Sequence, residues 1–238
     1  MVDKVSKVSG LSLQDVSVFR MGQKQPLLQG LSLAAAPGSV TVFCGPNGSG
    51  KSSLFQALVR AHSGVSLVGS FELCEAQHSA RQILASDLGY LPQAQEFVAG
   101  DYVSTFIQFS SNRSIAGDPQ MQLYLQHFSV QELLHRRIQS LSGGQWKRVQ
   151  CAAHFGVASA VRILDEPEGS LDGQGLKQLV SAIQLSKAAG EILLVASHSR
   201  TFVRDVADEV IYLDGGRVCW QTSKYEFVER GPINELSY

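Results

Sequence analysis

Charged residues are scarce in this sequence, at 17% of its 238 positions, whereas an average soluble domain has about 25%. The formal net charge is only −1, from 20 Lys and Arg against 21 Asp and Glu. A basic field over the whole protein is therefore excluded, although a local basic patch is not, and no nucleic-acid partner is expected. Apolar residues reach 44%, which supports a sizeable core and argues against a disordered chain. The length allows one large domain, or one domain with an inserted subdomain.

The sequence also lacks paired cysteines and long apolar runs. No two of its cysteines, Cys44, Cys74, Cys151 and Cys219, are spaced as C-x-x-C, which argues against a zinc knuckle or a redox pair. Single cysteines are typical of a reducing compartment, where we expect small buried residues. No apolar run approaches the ~18–20 residues of a membrane span, and residues 1–10 lack the apolar core of a signal peptide. If the protein acts at a membrane, we expect something other than a membrane span of its own to hold it there.

The order of apolar segments predicts strands that alternate with helices. The predicted strands are 39–44, 88–91, 161–164, 192–196 and 210–213, and a hairpin continues the last of these into 217–221. The predicted helices are 51–60, 121–128, 130–136 and 176–189, the last closed by Gly190. This alternation predicts an α/β sheet flanked by helices. Helical patterns dominate residues at about 94–145, which we interpret as an insertion between core parts at about 1–93 and 146–238.

A glycine-rich loop follows the predicted strand 39–44 at once. It fits G-x-x-x-x-G-K-[ST] in full, and its residues, together with the next helical one, are Gly45, Pro46, Asn47, Gly48, Ser49, Gly50, Lys51, Ser52 and Ser53. Glycines let the backbone wrap a phosphate, whose anionic oxygens the loop and helix N–H groups can bind. Lys51 would reach the β- and γ-phosphates, and the Ser52 hydroxyl would bind Mg²⁺. The alternative, a glycine turn with a solvated lysine, is disfavoured by the strand before it and the helix after it.

Two carboxylates, Asp165 and Glu166, follow the predicted strand 161–164. Beside a nucleotide, Asp165 can hold Mg²⁺ directly or through water. Glu166 can orient and polarise the attacking water. Alone, such a pair before Pro167 is an ordinary loop start, but its place at a strand end after a phosphate loop favours the functional interpretation.

The pentapeptide at residues 141–145, with the sequence LSGGQ, adds a third motif. With the phosphate loop and the acidic pair, it makes this sequence resemble the nucleotide-binding domain of ABC-type ATPases over about residues 11–221. The resemblance implies one domain over residues 1–238, with ATP and Mg²⁺ as cofactors. It also implies an α/β fold with a P-loop NTPase core, in which a mixed β-sheet is flanked by helices. An antiparallel β subdomain and an inserted helical subdomain complete the implied fold.

The same resemblance implies a head-to-tail dimer with two ATP molecules between the protomers. In the family, the pentapeptide contacts the γ-phosphate of nucleotide that the other subunit holds. The residues that match it here are Ser142, Gly143, Gly144 and Gln145. Asp172 matches the acidic residue of the loop that crosses the interface. From the residues alone, Ser142 and the following helix could bind an anion, or Ser142 could be an N-cap without a ligand.

Motif order implies roles for three further residues. Gln93 matches the glutamine that joins the core to the helical insertion and touches Mg²⁺ or the attacking water. His198 matches the histidine that contacts the γ-phosphate. Without the resemblance, we would interpret Gln93 as a surface residue and His198 as a structural one. Phe19 is the candidate to stack on adenine, and its alternative is a core position on an edge strand.

Three positions depart from the family pattern, and one of them is His154, which lies where the helix after the pentapeptide often has Arg. Ser199 follows His198 where Asp is frequent, and Arg162 lies in a strand that is usually apolar. We expect Arg162 to face a helix surface or to extend its charge to an edge of the sheet. None of the three departures removes a group that the chemistry needs.

Function follows from the resemblance: ATP binding and hydrolysis that power transport through a separate transmembrane permease subunit, at the cytoplasmic face of a membrane. The dimer partner would be a second copy of the chain or a paralogous ATPase subunit. Metal, metal-chelate and vitamin importer ATPases look most similar. Three alternatives stay open: a small export ATPase, a soluble ABC ATPase that moves a cytoplasmic partner, and a P-loop kinase. The kinase would leave residues 141–145 and His198 without roles.

Overall fold

The strands of this computed structural model join in one ten-stranded sheet, ordered β5-β4-β1-β2-β10-β9-β3-β8-β7-β6. The structure describes residues 8–59, 64–75, 80–94, 101–111, 115–223 and 226–227. The strands are β1 (Val8–Arg20), β2 (Pro26–Ala35), β3 (Val40–Cys44), β4 (Val65–Glu75), β5 (Ala80–Gln82), β6 (Leu88–Leu91), β7 (Val161–Asp165), β8 (Ile192–Ala196), β9 (Glu209–Asp214) and β10 (Arg217–Ser223). The helices are α1 (Lys51–Leu58), α2 (Val103–Ser111), α3 (Pro119–His127), α4 (Gly143–Phe155), α5 (Gly173–Ala188) and α6 (Arg200–Val206).

The sheet has an antiparallel part and a largely parallel part. Strand β1 pairs antiparallel with both β2 and β4, and β4 pairs with β5. Strands β9, β3, β8, β7 and β6 are all parallel to their neighbours in this order. The two parts meet where β10 lies beside β2, through the single register pair Arg217 and Gln29. The mixed sheet and its antiparallel part agree with the expected P-loop NTPase fold.

Continuous burial distinguishes the central parallel strands. All residues of β3, β7 and β8 are buried, as expected for parallel strands covered by helices on both faces. Their carboxyl ends meet at one edge of the sheet. That edge therefore receives the loops that begin at Gly45, Glu166 and Ser197, and also Gln93, just after β6.

The hairpin from β9 to β10 is confirmed. Gly215 and Gly216 connect the two strands, with φ of 52° and 73°, and Asp214 pairs with Arg217 across the turn. Two consecutive left-handed residues are the requirement of the type I′ turns that join twisted strands. The predicted helix closed by Gly190 is also present, as α5, and Gly190 has φ of 82°.

The predicted helix at 130–136 is wrong. The chain turns at Ser129, whose φ is 54°, and only a 3-10 turn follows, at Gln131–Leu133. The reason is that Val130 N–H bonds back to Leu125 O at 2.8 Å, which ends α3 and redirects the chain. Helices α2 and α3 nonetheless pack on α4 as a helical layer. Residues 95–100 and 112–114 of the expected insertion lie outside the described residues, so its boundaries stay a prediction.

Of the two alternatives for Arg162, the structure confirms the first, because its side chain is fully buried against the end of α4 and reaches no edge of the sheet. Its guanidinium bonds to both carboxylate oxygens of Glu191, at 2.7 and 2.8 Å. It also donates to His154 O at 2.6 Å and to Val157 O at 2.9 Å. The ring of Phe155 lies 4.7 Å away, below the guanidinium. Complete pairing allows this charge to stay inside the protein.

Two observations bear on the absences in the sequence. Cys44 and Cys151 are buried as expected, but Cys219 is exposed because it lies on the outward face of β10, where exposed residues alternate. Among the described residues, no helix is both long and apolar enough to cross a membrane.

Candidate nucleotide-binding site

The loop from Gly45 to Gly50 joins the buried strand β3 to helix α1. Gly45 has φ of 138°, and a Cβ added there would lie 2.0 Å from Leu213 O. Gly50 has φ of 105°, and its added Cβ would lie 2.9 Å from Leu27 O. Only glycine fits both positions, because β9 and β2 approach the loop backbone closely. The sequence pattern therefore produces a tight loop whose N–H groups precede a helix N-terminus, an arrangement suited to phosphate.

Lys51 places a cationic group under this loop. Its Nζ donates to Gly45 O at 2.8 Å and to Pro46 O at 3.0 Å, and lies 3.3 Å from Ser49 Oγ. Burial lowers the pKa of Lys51, and the nearby Glu166 carboxylate opposes this shift. A buried ammonium bonded mainly to neutral oxygens provides a strong attraction for an anion on the loop.

Ser52 and Asp165 bring oxygen ligands together from α1 and β7. The Ser52 hydroxyl donates to Asp165 Oδ1 at 3.1 Å, and the Asp165 side chain is buried. Burial raises the pKa of Asp165, and the hydrogen bond from Ser52 lowers it. Both are hard oxygen ligands that fit Mg²⁺. No cluster of three His, Cys, Asp or Glu side chains that could hold a metal ion occurs among the described residues.

Glu166 lies between two residues predicted from separate motifs. Gln93 Nε2 donates to Glu166 Oε2 at 2.7 Å, and His198 Nδ1 lies 3.4 Å from Glu166 Oε1. The backbone of Glu166 is left-handed, with φ of 45°, a conformation that costs about 1–3 kcal/mol in a residue with a side chain. Its N–H bonds to Ala196 O at 3.0 Å, which helps to hold this conformation. The structure therefore brings together Gln93, Glu166 and His198 at the end of β7.

The LSGGQ residues form the start of α4, not part of the phosphate loop. Ser142 is the N-cap of this helix, and Ser142 and Gln145 exchange hydrogen bonds at 3.0 and 3.2 Å in a capping box. A Cβ added to Gly144 would lie 3.0 Å from Ser170 O, so the helix start packs on the loop before α5. Asp172 Oδ1 caps α5 by accepting from Gly175 N–H at 2.7 Å. The hydrogen bonds of these side chains stay within their own helix ends.

The remaining predicted residue, Phe19, lies near the end of β1. It is opposite Pro26 of β2 and Ser66 of β4, and its side chain is partly buried. Its contact with adenine stays a prediction, and so do the ligand and catalytic roles of the other predicted site residues.

Sequence reasoning missed two charged side chains beside this edge of the sheet, Glu168 and Lys147. The hydroxyl of Ser197 donates to Glu168 Oε1, and burial raises the pKa of Glu168. Lys147 is buried on α4, and burial lowers its pKa while the carboxylates of Glu168 and Asp165 oppose this. The spacing of Lys147 from the buried Cys151, four residues on, could have placed it on the inner face of α4.

The arrangement of a strand, a glycine loop with a buried lysine, and a helix whose Ser52 bonds to Asp165 at the end of β7 defines a P-loop nucleotide-binding protein. Within that class, residues 28–169 match the family described as ABC transporter. The chain belongs to the ABC transporter family.

Relatives share the sequence over most of this chain. It is 30% identical to an ABC transporter ATP-binding/permease protein, Rv1747 of Mycobacterium tuberculosis. The 219 aligned residues cover 89% of this chain and 25% of that protein. This chain is 29% identical over 236 residues to the hemin import ATP-binding protein HmuV of Shewanella denitrificans, covering 95% and 92%. The chain spans only 25% and 47% of the length of two relatives, Rv1747 and a putative ABC transporter ATP-binding protein of Treponema denticola.

A solved structure shares the fold. The structure described as the ATP-binding subunit of an ABC transporter superposes with a TM-score of 0.76, at 18% identity, over 93% of this chain and 95% of that one. At this identity the likeness shows the fold alone, and it agrees with the mixed sheet and flanking helices described above.

Proposed function

We propose that this chain binds and hydrolyses ATP and powers transport through a separate membrane subunit. The observation that carries the proposal is the position of Glu166, between Gln93 and His198 and next to the Ser52–Asp165 pair. Family membership supplies the ATP-binding class. The geometry adds a carboxylate suited to act on a water molecule beside the phosphate loop.

The first part of the mechanism is binding. The N–H groups of the phosphate loop and of the start of α1 hold the phosphates, and Lys51 turns its ammonium from the loop carbonyls to their oxygens. Ser52 and Asp165, with Gln93 nearby, would hold Mg²⁺, which neutralises negative charge on the phosphates when bound. Phe19 would stack on the adenine ring.

The second part is attack by water on the γ-phosphate. Glu166 orients and polarises the water, and Gln93 and His198 fix the two carboxylate oxygens of Glu166. The side chain of His198 is 51% exposed, against 17% for Glu166, so the imidazole can also reach a γ-phosphate at the open edge. Positioning and charge stabilisation account for most of the catalysis in this class of reaction.

The third part is closure of a head-to-tail dimer. Ser142, Gly143 and Gln145 begin a helix whose positive end is accessible, because Ser142 and Gly143 are exposed. A second copy, or a paralogous ATPase subunit, would present these residues to the nucleotide, and Asp172 would lie on the interface loop. After hydrolysis the dimer would open, and this movement would be transmitted to a transmembrane permease subunit. This chain would lie at the cytoplasmic face of the membrane. The name of the hemin import relative supports an importer.

The direct test is turnover by the variant Glu166→Gln. We expect a fall in kcat of about 10²–10³-fold, since the amide cannot act as a base, with ATP affinity kept. Phosphate release and binding of a fluorescent ATP analogue measure the two effects. Glu132→Gln, at an exposed position outside the site, is the matched control. Hydrolysis at the wild-type rate by Glu166→Gln would refute the assignment.

A second experiment tests the partner. The tagged chain is purified from detergent-solubilised native cells, and co-purified proteins are identified by mass spectrometry. A stoichiometric chain with several membrane spans supports transport. Only soluble partners, with no tag in the membrane fraction, would contradict it and favour a cytoplasmic role.

A further inference from the structure

Glu166 and Glu168 both reach from one turn to consecutive residues of another loop. The turn follows β7 and is closed by a hydrogen bond from Gly169 N–H to Glu166 O at 3.2 Å. Glu166 lies beside His198, and Glu168 accepts from the hydroxyl of Ser197. The turn after β7 and the loop after β8 are therefore joined by two contacts. Only the contact between Glu166 and His198 involves groups of the proposed reaction.

Ser197 makes the second contact, the hydrogen bond to Glu168. It is completely buried, and its N–H bonds to Phe43 O at 3.1 Å, which ties the loop to the end of β3. Its hydroxyl accepts from Ser199 N–H at 3.1 Å while it donates to Glu168. Each of these bonds restricts the backbone on one side of His198.

The carboxyl group of Glu168 lowers the stability of the folded protein. Its Oε2 is buried and has no hydrogen-bond partner among the described residues. A buried polar atom without a partner lowers stability. An apolar side chain would avoid this cost but could not accept from Ser197. This contrast favours a role for the carboxyl group in holding the loop.

We propose that Glu168 is a positioning residue: through Ser197, it sets the place of the His198 imidazole relative to the Glu166 carboxylate. Glu168 does not itself touch the reacting atoms. The inference rests on the proposed ATP hydrolysis for its kinetic consequence, whereas the link between Glu168 and His198 can be observed without activity.

Kinetics of four variants provide the first test. Glu168→Ala and Ser197→Ala should each lower kcat about tenfold with KM for ATP within about twofold, because misplacement of the imidazole affects the transition state more than ATP binding. The double variant should also lose about tenfold, not a hundredfold, since both changes break one connection. Glu168→Gln keeps an oxygen that accepts from Ser197 and should stay within about threefold of the wild type.

The matched control is Asp205→Ala, which removes an exposed carboxylate from the neighbouring helix α6. It should leave kcat unchanged. If Glu168→Ala does not fold, Ser197→Ala and Glu168→Gln still decide the matter. Unchanged kcat in Ser197→Ala, or losses that multiply in the double variant, would overturn the proposal.

An NMR measurement separates this inference from the proposed function. Cross-peaks of ¹³C-labelled histidine rings are recorded, and His198 is assigned with His198→Gln. We expect the His198 peak to move in Glu168→Ala and Ser197→Ala but not in Asp205→Ala. If the wild type does not hydrolyse ATP but the His198 peak still moves in Glu168→Ala and Ser197→Ala, the proposed function is refuted and the link between Glu168 and His198 is kept. Normal hydrolysis with an unmoved peak would refute only the role of Glu168.

Discussion

Strand β7 carries a buried charge near each of its ends, and the two have opposite surroundings. Arg162, towards the amino end, bonds to both oxygens of Glu191 and to two backbone carbonyls. Asp165, at the carboxyl end, accepts one hydrogen bond from Ser52. Both side chains are at most 2% exposed. Burial alone therefore does not distinguish them, but the completeness of their pairing does.

This difference separates structural charge from functional charge. In a buried ion pair whose hydrogen bonds are all made, the attraction between the partners offsets the cost of desolvation, and no donor or acceptor remains free to bind a ligand. At the other end of the strand, Asp165, Glu166 and Lys51 retain charge that neighbouring groups do not fully compensate. Groups of that kind are favourable for binding phosphate and metal, at some cost in stability.

The largest expected effect comes from breaking the amino-end pair with Glu191→Ala. Removing the carboxylate leaves the guanidinium of Arg162 buried without its anion, and we expect the free energy of unfolding to fall by about 3–5 kcal/mol. Urea denaturation followed by circular dichroism measures it. The double variant Arg162→Met/Glu191→Ala should lose less than the sum of the two single losses. Simple additivity would show that the pair is not coupled.

The next largest effect concerns the carboxyl end and is functional. Lys51→Ala should weaken ATP binding by at least about tenfold, because the variant lacks the cation under the phosphate loop. Its free energy of unfolding should not fall by more than about 1 kcal/mol, since a desolvated charge is also removed. Titration with a fluorescent nucleotide and urea denaturation test the two parts. Lys177→Ala, on the exposed face of α5, is the control, and equal losses of affinity in both variants would contradict the prediction.

A smaller effect should appear in Asp165→Asn, as a gain in stability. Burial raises the pKa of Asp165 above its ordinary value of 3.8. Between the ordinary and the raised pKa the folded state binds more protons than the unfolded state, so stability from this group falls as pH rises through that window. Asparagine avoids the loss, and we expect a gain of about 1 kcal/mol at neutral pH. Below the ordinary pKa the gain should vanish. Thermal unfolding at several pH values checks this, and a gain that is independent of pH would contradict it.

The smallest effect is expected for an ion pair in contact with solvent. Lys187 Nζ lies 2.7 Å from Asp208 Oδ1, and the Asp208 side chain is 44% exposed. Lys187→Ala should change the free energy of unfolding by less than about 1 kcal/mol, because water and salt screen the pair. Urea denaturation at low and high salt measures it. A loss as large as that of Glu191→Ala would mean that burial is not what separates the two pairs.

Local motifs made the site at the carboxyl end of β7 predictable from the sequence. The phosphate loop needs glycine at Gly45 and Gly50 for backbone reasons, and the acidic pair follows an unbroken apolar strand. Gln93 and His198 could be found only through the order of family motifs, since neither has a local pattern of its own. Their contacts with Glu166 were not part of the sequence prediction.

Tertiary packing explains what the sequence did not reveal. The burial of Arg162 depends on Glu191, which lies just before β8 and 29 residues along the chain, and no local pattern links the two residues. The contact of Glu168 with Ser197 depends on the packing of the turn after β7 against the loop after β8, whereas for Lys147 only its place on the inner face of α4 could be predicted from the sequence. The helix predicted after Ser129 failed because one left-handed residue redirected the chain against a helical apolar pattern.

The junction between β2 and β10 has a consequence for cooperativity. One register pair, Arg217 with Gln29, joins the antiparallel and parallel parts of the sheet. A ladder this short contributes few backbone hydrogen bonds, but β1, β2 and β4 share an apolar core with α1 and the central strands. Amide hydrogen exchange in β1, β2 and β4 should report whether this part opens as a unit separate from the central strands. Gly45 and Gly50 pack against backbone on the two sides of this junction, at Leu213 and Leu27. Nucleotide bound to the loop should therefore slow amide exchange in β2 and in β9 together. It would couple the local unfolding of the antiparallel part of the sheet to that of the parallel part.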